Sequence, residues 1–237
     1  MYRCLVIGLI VGVGAVAHAD PPGPLDPDCV DEVAAALAPA PRGRRIASLT
    51  RQECAALLTA RGVRFEVLPE AQAEGVDMPI RLRGPLGGVV VENRGHSELH
   101  EIIDCRLAVA LLEWSPTLRE AGFTTLRHYS VYRPGARVAR SGRPSGHANA
   151  LAIDVGLLER DGDAPIEVLS GWEARERGAA PCARYEESDD SALLRQVVCR
   201  AVEADLFQVV LTPHHDHAHR NHVHLEIRPD VEWSYVH

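Results

Sequence analysis

Leu194, Val197, Val198, Ala201 and Val202 fall on one stripe at the helical period, which predicts an amphipathic helix over residues 191–206. Thr50-Arg51-Gln52-Glu53 has the form of a capping box, so a second helix is expected to run from there to Arg61 and stop at Gly62. Asp28 heads an alanine-rich stretch that predicts a short helix over 28–38, ended by Pro39 and Pro41 and followed by a basic turn over 42–45. Ser97 is expected to cap a helix over 97–114, with Glu98 and Glu101 in its first turn, and Ser115-Pro116 to open another short helix that ends at Gly122. Alternation of period two puts Val63, Phe65 and Val67 on one face of a strand over 63–68. Residues 80–83 and 89–92 predict a hairpin across Gly84-Pro85-Leu86-Gly87-Gly88. Further strands are expected over 124–132, 151–158, 166–169, 207–211 and 222–227, with loops over 133–146 and 171–188. Helices come first and strands interleave later, without repeats. This is the pattern of a single α+β domain with a mostly antiparallel sheet and flanking helices.

The pattern changes at the N-terminus. Arg3, an apolar run over 4–17 and Ala17-His18-Ala19 read as a secretory signal peptide over residues 1–19. The run is shorter than the roughly 20 residues of a membrane span, so no stable span is expected. Cys4 stands at the front of the apolar core rather than after it, which argues against a lipid anchor; the alternative is a short anchor that stays uncut. A proline-rich lead-in with its short helix then covers 20–49, a folded domain 50–230 and a tail 231–237. Export to a periplasm or the extracellular space permits disulfides. Beyond Cys4 the cysteines are Cys29, Cys54, Cys105, Cys182 and Cys199, an odd set. Cys182 and Cys199 flank a polar loop and are the first choice for a bridge; a second bridge among Cys29, Cys54 and Cys105 cannot be assigned from the sequence.

Composition narrows the chemistry. The formal net charge of −8 argues against a nucleic-acid binder held by a basic patch. All 25 basic residues of the 237 are arginine, which excludes lysine Schiff-base chemistry and the lysine-bearing phosphate loop. Gly142-Arg143-Pro144-Ser145-Gly146 misses the nucleophile elbow because its serine is one position late. His100-Glu101-Ile102-Ile103-Asp104 misses the HExxH zinc motif at its last residue. His96 and His100 have the spacing of one helix face but no third ligand nearby, and read as solvated residues.

Of the 12 histidines, half fall between His214 and His224. Two stretches concentrate the chemistry. In Ser145-Gly146-His147-Ala148-Asn149-Ala150-Leu151-Ala152-Ile153-Asp154, a histidine leaves a glycine-bearing loop and an aspartate follows within an apolar strand, where its charge needs a cation or hydrogen bonds. In Asn221-His222-Val223-His224-Leu225-Glu226-Ile227, His222 and His224 share one strand face. One carboxylate with two or three imidazoles suits zinc, and a catalytic zinc keeps three protein ligands and one open position. The competing reading of H-x-H is a pair of exposed or hydrogen-bonded histidines.

The motif S-x-H-x(2)-A-x-A-x-D followed by H-x-H resembles the extensin-like C-terminal domain family, which is grouped with D-Ala-D-Ala carboxypeptidase, lysostaphin and hedgehog-type zinc peptidases. Glu53–Leu57, Gly62–Phe65, Gly75–Leu82, Cys105–Ala108 and Tyr129–Arg133 resemble other parts of the same family. The resemblance implies a hedgehog/D-Ala-D-Ala peptidase-like fold, with His147, Asp154 and His224 holding Zn2+. It implies a catalytic role for His222, contact of Arg133 with substrate, and supporting places beside the site for Ser145 and His219. The implied substrate is a peptide of peptidoglycan. Three departures stand out: Ala150 replaces a usual glycine, Glu226 replaces an aspartate after H-x-H-L, and a cysteine expected near Gly75 is absent. His214, His215 and His217 read either as a solvated rim or as an adventitious second metal site. A metal-binding or wall-binding module without turnover is the alternative to an enzyme.

Overall fold

The computed structural model describes residues 40–176 and 179–237. The expected signal peptide, the helix over 28–38 and Cys29 lie outside the described residues. The first described helix, α1 (Arg42–Ala47), stands where the sequence predicts a basic turn. Its arginines face outward, while Ile46 and Ala47 are buried and Gly43 donates its amide to the Asp205 carbonyl at 2.6 Å. A Cβ at Gly43 would meet that carbonyl at 2.7 Å, so the glycine permits the approach. α2 (Arg51–Ala60) begins with both halves of the expected capping box: Thr50 accepts from the Glu53 amide, and Glu53 accepts from the Thr50 amide. Gly62, at φ +69°, ends it as expected.

β1 (Phe65–Val67), β2 (Pro79–Leu82), β3 (Val90–Asn93) and β4 (Ile103–Asp104) follow. Leu86 and Val89 exchange backbone hydrogen bonds of 2.8 and 2.9 Å, so the tight turn forms. The flanking strands nevertheless do not form the expected hairpin. β2 pairs antiparallel with β1 and β4 in a three-stranded sheet, whereas β3 joins the larger sheet. Leu86 and Val89 are each only 1% exposed, so the turn is driven into the core and its two arms leave in different layers.

The two helices expected over 97–122 are one helix, α3 (Cys105–Glu120). Its cap is Asp104 rather than Ser97. The buried Asp104 carboxylate accepts from the Arg106 amide at 3.0 Å and pairs with the Arg106 guanidinium at 2.9 Å. His96 and His100 lie in turns before it and share no helix face. Pro116 does not break the helix. The Leu112 carbonyl, which Pro116 cannot reach with an amide, accepts instead from the Ser115 hydroxyl at 2.7 Å.

β5 (Phe123–His128), β6 (Ala152–Arg160), β7 (Ile166–Glu167), α4 (Val168–Gly171), α5 (Asp189–Glu203), β8 (Val209–Leu211), β9 (Val223–Glu226) and β10 (Tyr235–Val236) complete the chain. The larger sheet runs β10-β8-β9-β6-β5-β3, with β7 also on β6. Only its β3–β5 and β10–β8 pairings are parallel, so the single α+β domain with a mostly antiparallel sheet is as expected. β10 lies in residues read from the sequence as a tail; the Tyr235 amide donates to the Gln208 carbonyl at 2.7 Å. α3 and α5 cover one side, joined where Trp114 Nε1 donates to the Val197 carbonyl at 2.8 Å. Among the described residues no helix is long and apolar enough to cross a membrane.

Two disulfides tie the domain: Cys182–Cys199, as expected, and Cys54–Cys105, which joins α2 to the start of α3. Separations of 51 and 17 residues correspond to about 4 and about 3 kcal/mol of chain-entropy stabilisation. Cys54 and Cys105 are buried, whereas Cys182 is exposed. Graded reduction followed by alkylation and mass mapping is therefore expected to open Cys182–Cys199 first. Cys54→Ala with Cys105→Ala is expected to lower the urea unfolding free energy by about 4 kcal/mol; an unchanged midpoint would contradict this pairing.

Candidate metal centre

The centre of the larger sheet brings the two histidine-bearing stretches together. β6 and β9 are antiparallel neighbours, and their register sets Asp154 directly opposite His224. His147 reaches the same point from the 3-10 turn Gly146–Asn149, whose first amides are capped by Ser145 (His147 amide to Ser145 Oγ, 3.4 Å). The turn ends at Ala150, which adopts φ 54°. This is the left-handed region that favours glycine, so the departure at Ala150 strains the backbone but leaves its path intact.

His147 Nε2, Asp154 Oδ1 and His224 Nδ1 form a triangle. Its edges are 3.0 Å from His147 to Asp154, 3.2 Å from His147 to His224 and 3.0 Å from His224 to Asp154. All three residues are buried. The outer nitrogens fix the ring orientations. His147 Nδ1 lies 2.8 Å from the Val131 carbonyl, which can only accept, so that nitrogen carries the proton and Nε2 turns inward as a lone pair. His224 Nε2 lies 3.0 Å from Glu226 Oε2, and Nδ1 turns inward. Ser130 donates its hydroxyl to the second Asp154 oxygen at 3.2 Å. Three inward acceptor atoms at this spacing repel one another unless a metal cation, or a proton on His224 Nδ1 shared with Asp154, sits among them. A tetrahedral ion with bonds of about 2.0–2.1 Å needs donor atoms about 3.3 Å apart, close to the edges of this triangle. Burial alone would raise the Asp154 carboxyl, but hydrogen bonds and charge from His147 and His224 hold it well below the carboxylate range. Burial alone would lower His224, but Asp154 and Glu226 outweigh it and push its pKa up to about 9. The same negative field favours a metal cation.

The other predicted residues surround this triangle. His222 stands just before β9, with Nε2 3.3 Å from Asp154 Oδ1 and Nδ1 2.9 Å from Asn221 Oδ1. Burial, reinforced by three neighbouring imidazoles against the pull of Asp154, lowers its pKa to about 4, so the ring is neutral at neutral pH. Arg133 sets Nη2 3.7 Å from Asp154 Oδ2 and is half exposed to the cleft. The His219 ring is 5.1 Å from that of His222 and is held by Asp216 Oδ1, 2.6 Å from its Nδ1. All of these line one cleft of about 1090 Å3. The predicted bridge Cys182–Cys199 takes no part in it.

Glu226 is the functional neighbour that sequence reasoning missed, treating it only as a departure. The signal was present: His222, His224 and Glu226 alternate along one strand face. Gly146 belongs with it, because a Cβ there would sit 2.5 Å from the Glu226 carboxyl carbon.

The fold and the cluster define an α+β domain built around a buried His-Asp-His set able to hold an ion. The extensin-like protein C-terminus family matches residues 52–236, and the chain belongs to that family. No curated protein and no solved structure matches it.

In chelator-treated protein, nitrogen-correlated imidazole NMR is expected to show His224 titrating near 9. Glu226→Gln removes a charge that favours the protonated ring, so the His224 midpoint is expected to fall. A midpoint that does not move would contradict the pairing of His224 with Glu226.

Proposed function

We propose that this protein is an exported, zinc-dependent, peptidase-like hydrolase acting on peptides of the cell wall. The reading is carried by the His147–Asp154–His224 triangle, whose donor types and spacing suit zinc. His147, Asp154 and His224 would hold the ion. A zinc ion in such a set supplies Lewis acidity at neutral pH.

The remaining chemistry falls to residues of the cleft. Asn221 Oδ1 accepts from His222 Nδ1, which leaves His222 Nε2 as a lone pair facing the centre. As general base, Nε2 takes a proton from the attacking water and can return it to the leaving amine. The Arg133 guanidinium, half exposed at the same edge, holds the scissile carbonyl oxygen or a peptide carboxylate. Arg137, Arg140 and Arg228 line the cleft as well and favour an anionic peptide on an otherwise acidic protein. The cleft, at about 1090 Å3, is slightly larger than the roughly 300–1,000 Å3 of small-molecule pockets, which leaves room for a peptide. Two disulfides and the signal-peptide pattern support a periplasmic or extracellular location. A second reading, a metal-binding module without turnover, is favoured by the further cluster of His215, Asp216 and His219.

Zinc-loaded full-length protein is to be incubated with a panel of muropeptides and the products resolved by mass spectrometry. Peptide-bond cleavage is expected. His222→Ala is expected to lower kcat by about 10²–10⁴-fold with zinc retained, and His224→Ala to lose the zinc itself. Zinc-loaded wild type that cleaves nothing in the panel would overturn the enzymatic reading and leave the module.

A further inference from the structure

The loop between β8 and β9 carries a second group of ligating side chains, separate from the buried triangle. Asp216 is at its centre. Its Oδ1 accepts from the His219 amide at 3.1 Å and lies 2.6 Å from His219 Nδ1, and its Oδ2 lies 3.8 Å from His215 Nε2. Both of the imidazoles, His215 and His219, pair with this one carboxylate. One ligating atom from each of His215, Asp216 and His219 falls within 4.8 Å of the other two.

A second observation concerns the other nitrogen of the His215 ring and its neighbour His237. The His215 ring meets that of His237 at 5.0 Å and 81°. His215 Nδ1 and His237 Nδ1 are both shielded from solvent and have no hydrogen-bond partner. Leaving a buried polar nitrogen unpaired costs about 1–3 kcal/mol, and here two such rings converge. His237 is not a loose end of the fold. Its amide donates to the Val210 carbonyl at 3.0 Å, and its carbonyl accepts from the Thr212 amide at 2.7 Å. The sheet thus fixes the ring beside the loop.

We propose that His215, Asp216 and His219, with His237 beside them, bind a second divalent transition-metal ion at the rim of the cleft. Imidazoles with one carboxylate select zinc, copper or nickel over magnesium or calcium. The Asp216 side chain is 51% exposed, so this ion exchanges more readily than one held in the buried triangle. The proposal stands independently of whether the protein cleaves peptides.

The test is zinc binding by untagged, chelator-stripped, full-length protein in equilibrium dialysis. His215→Ala with Asp216→Asn is expected to bind one equivalent fewer than wild type, and His217→Ala the same number as wild type. The lost equivalent is expected to be the one that a weak chelator removes first. Asp216→Asn alone, at an exposed position that spares the fold, is expected to weaken that equivalent at least about tenfold. The proposal is overturned if the His215 and Asp216 double variant binds as many equivalents as wild type, or if Asp216→Asn leaves the weaker affinity unchanged. Either result holds whatever the buried triangle binds.

Discussion

A carboxylate in the middle of a buried strand loses the hydration of its charge, a penalty of several kcal/mol unless its neighbours replace the water. Asp154 is in that position on β6, with apolar residues before and after it on the same strand. The neighbours that replace the water come from three separate parts of the chain: His147 from the turn before β6, Ser130 from the loop after β5, and His224 from the partner strand β9. Because β6 and β9 are paired antiparallel with Asp154 opposite His224, backbone hydrogen bonds of the sheet fix the spacing of these groups. The sheet register and the charge therefore depend on each other. A slip of one residue would turn His224 to the other face and leave the carboxylate without its partner.

The surrounding shell keeps the two rings turned inward. The Val131 carbonyl and the Glu226 carboxylate each hold an outer nitrogen, the arrangement by which metal-binding histidines are commonly oriented. Glu226 can stand so near only because Gly146 has no side chain. Ala150 closes the same turn in a left-handed conformation that another residue type would hold more easily. The cleft opens on one side of this core, with Arg133 and His222 at its inner edge and the histidine loop at its rim. The buried His147, Asp154 and His224 thus lie beside the more exposed His215, Asp216 and His219 in a single concavity.

Much of this was legible in the sequence, for identifiable reasons. The capping box at Thr50, the stripe from Leu194 to Val202 and the alternation of His222 with His224 are local signals, and each formed as read. His147, Asp154, His222, His224, Arg133, Ser145 and His219 all converge on one cleft. What the sequence hid was set by tertiary contact. Gly87 and Gly88 do make a tight turn, but burial of Leu86 and Val89 sends the flanking strands into different sheets. Pro116 reads as a helix start because the Ser115 hydroxyl that replaces its missing hydrogen bond is invisible in a pattern of hydrophobic positions. The pairing of Cys54 with Cys105 required knowing that α2 lies against the start of α3. The role of Glu226 was encoded in its spacing but masked by its being an unusual residue type there.

The central claim is that one ion is gripped by His147, Asp154 and His224. X-ray absorption at the zinc edge of the purified, zinc-loaded chain tests it most directly. Nitrogen and oxygen donors alone are expected at about 2.0–2.1 Å, with the multiple-scattering signature of imidazole that His147→Ala and His224→Ala reduce. A shell of sulfur at about 2.3 Å, or a spectrum unchanged by either substitution, would contradict it.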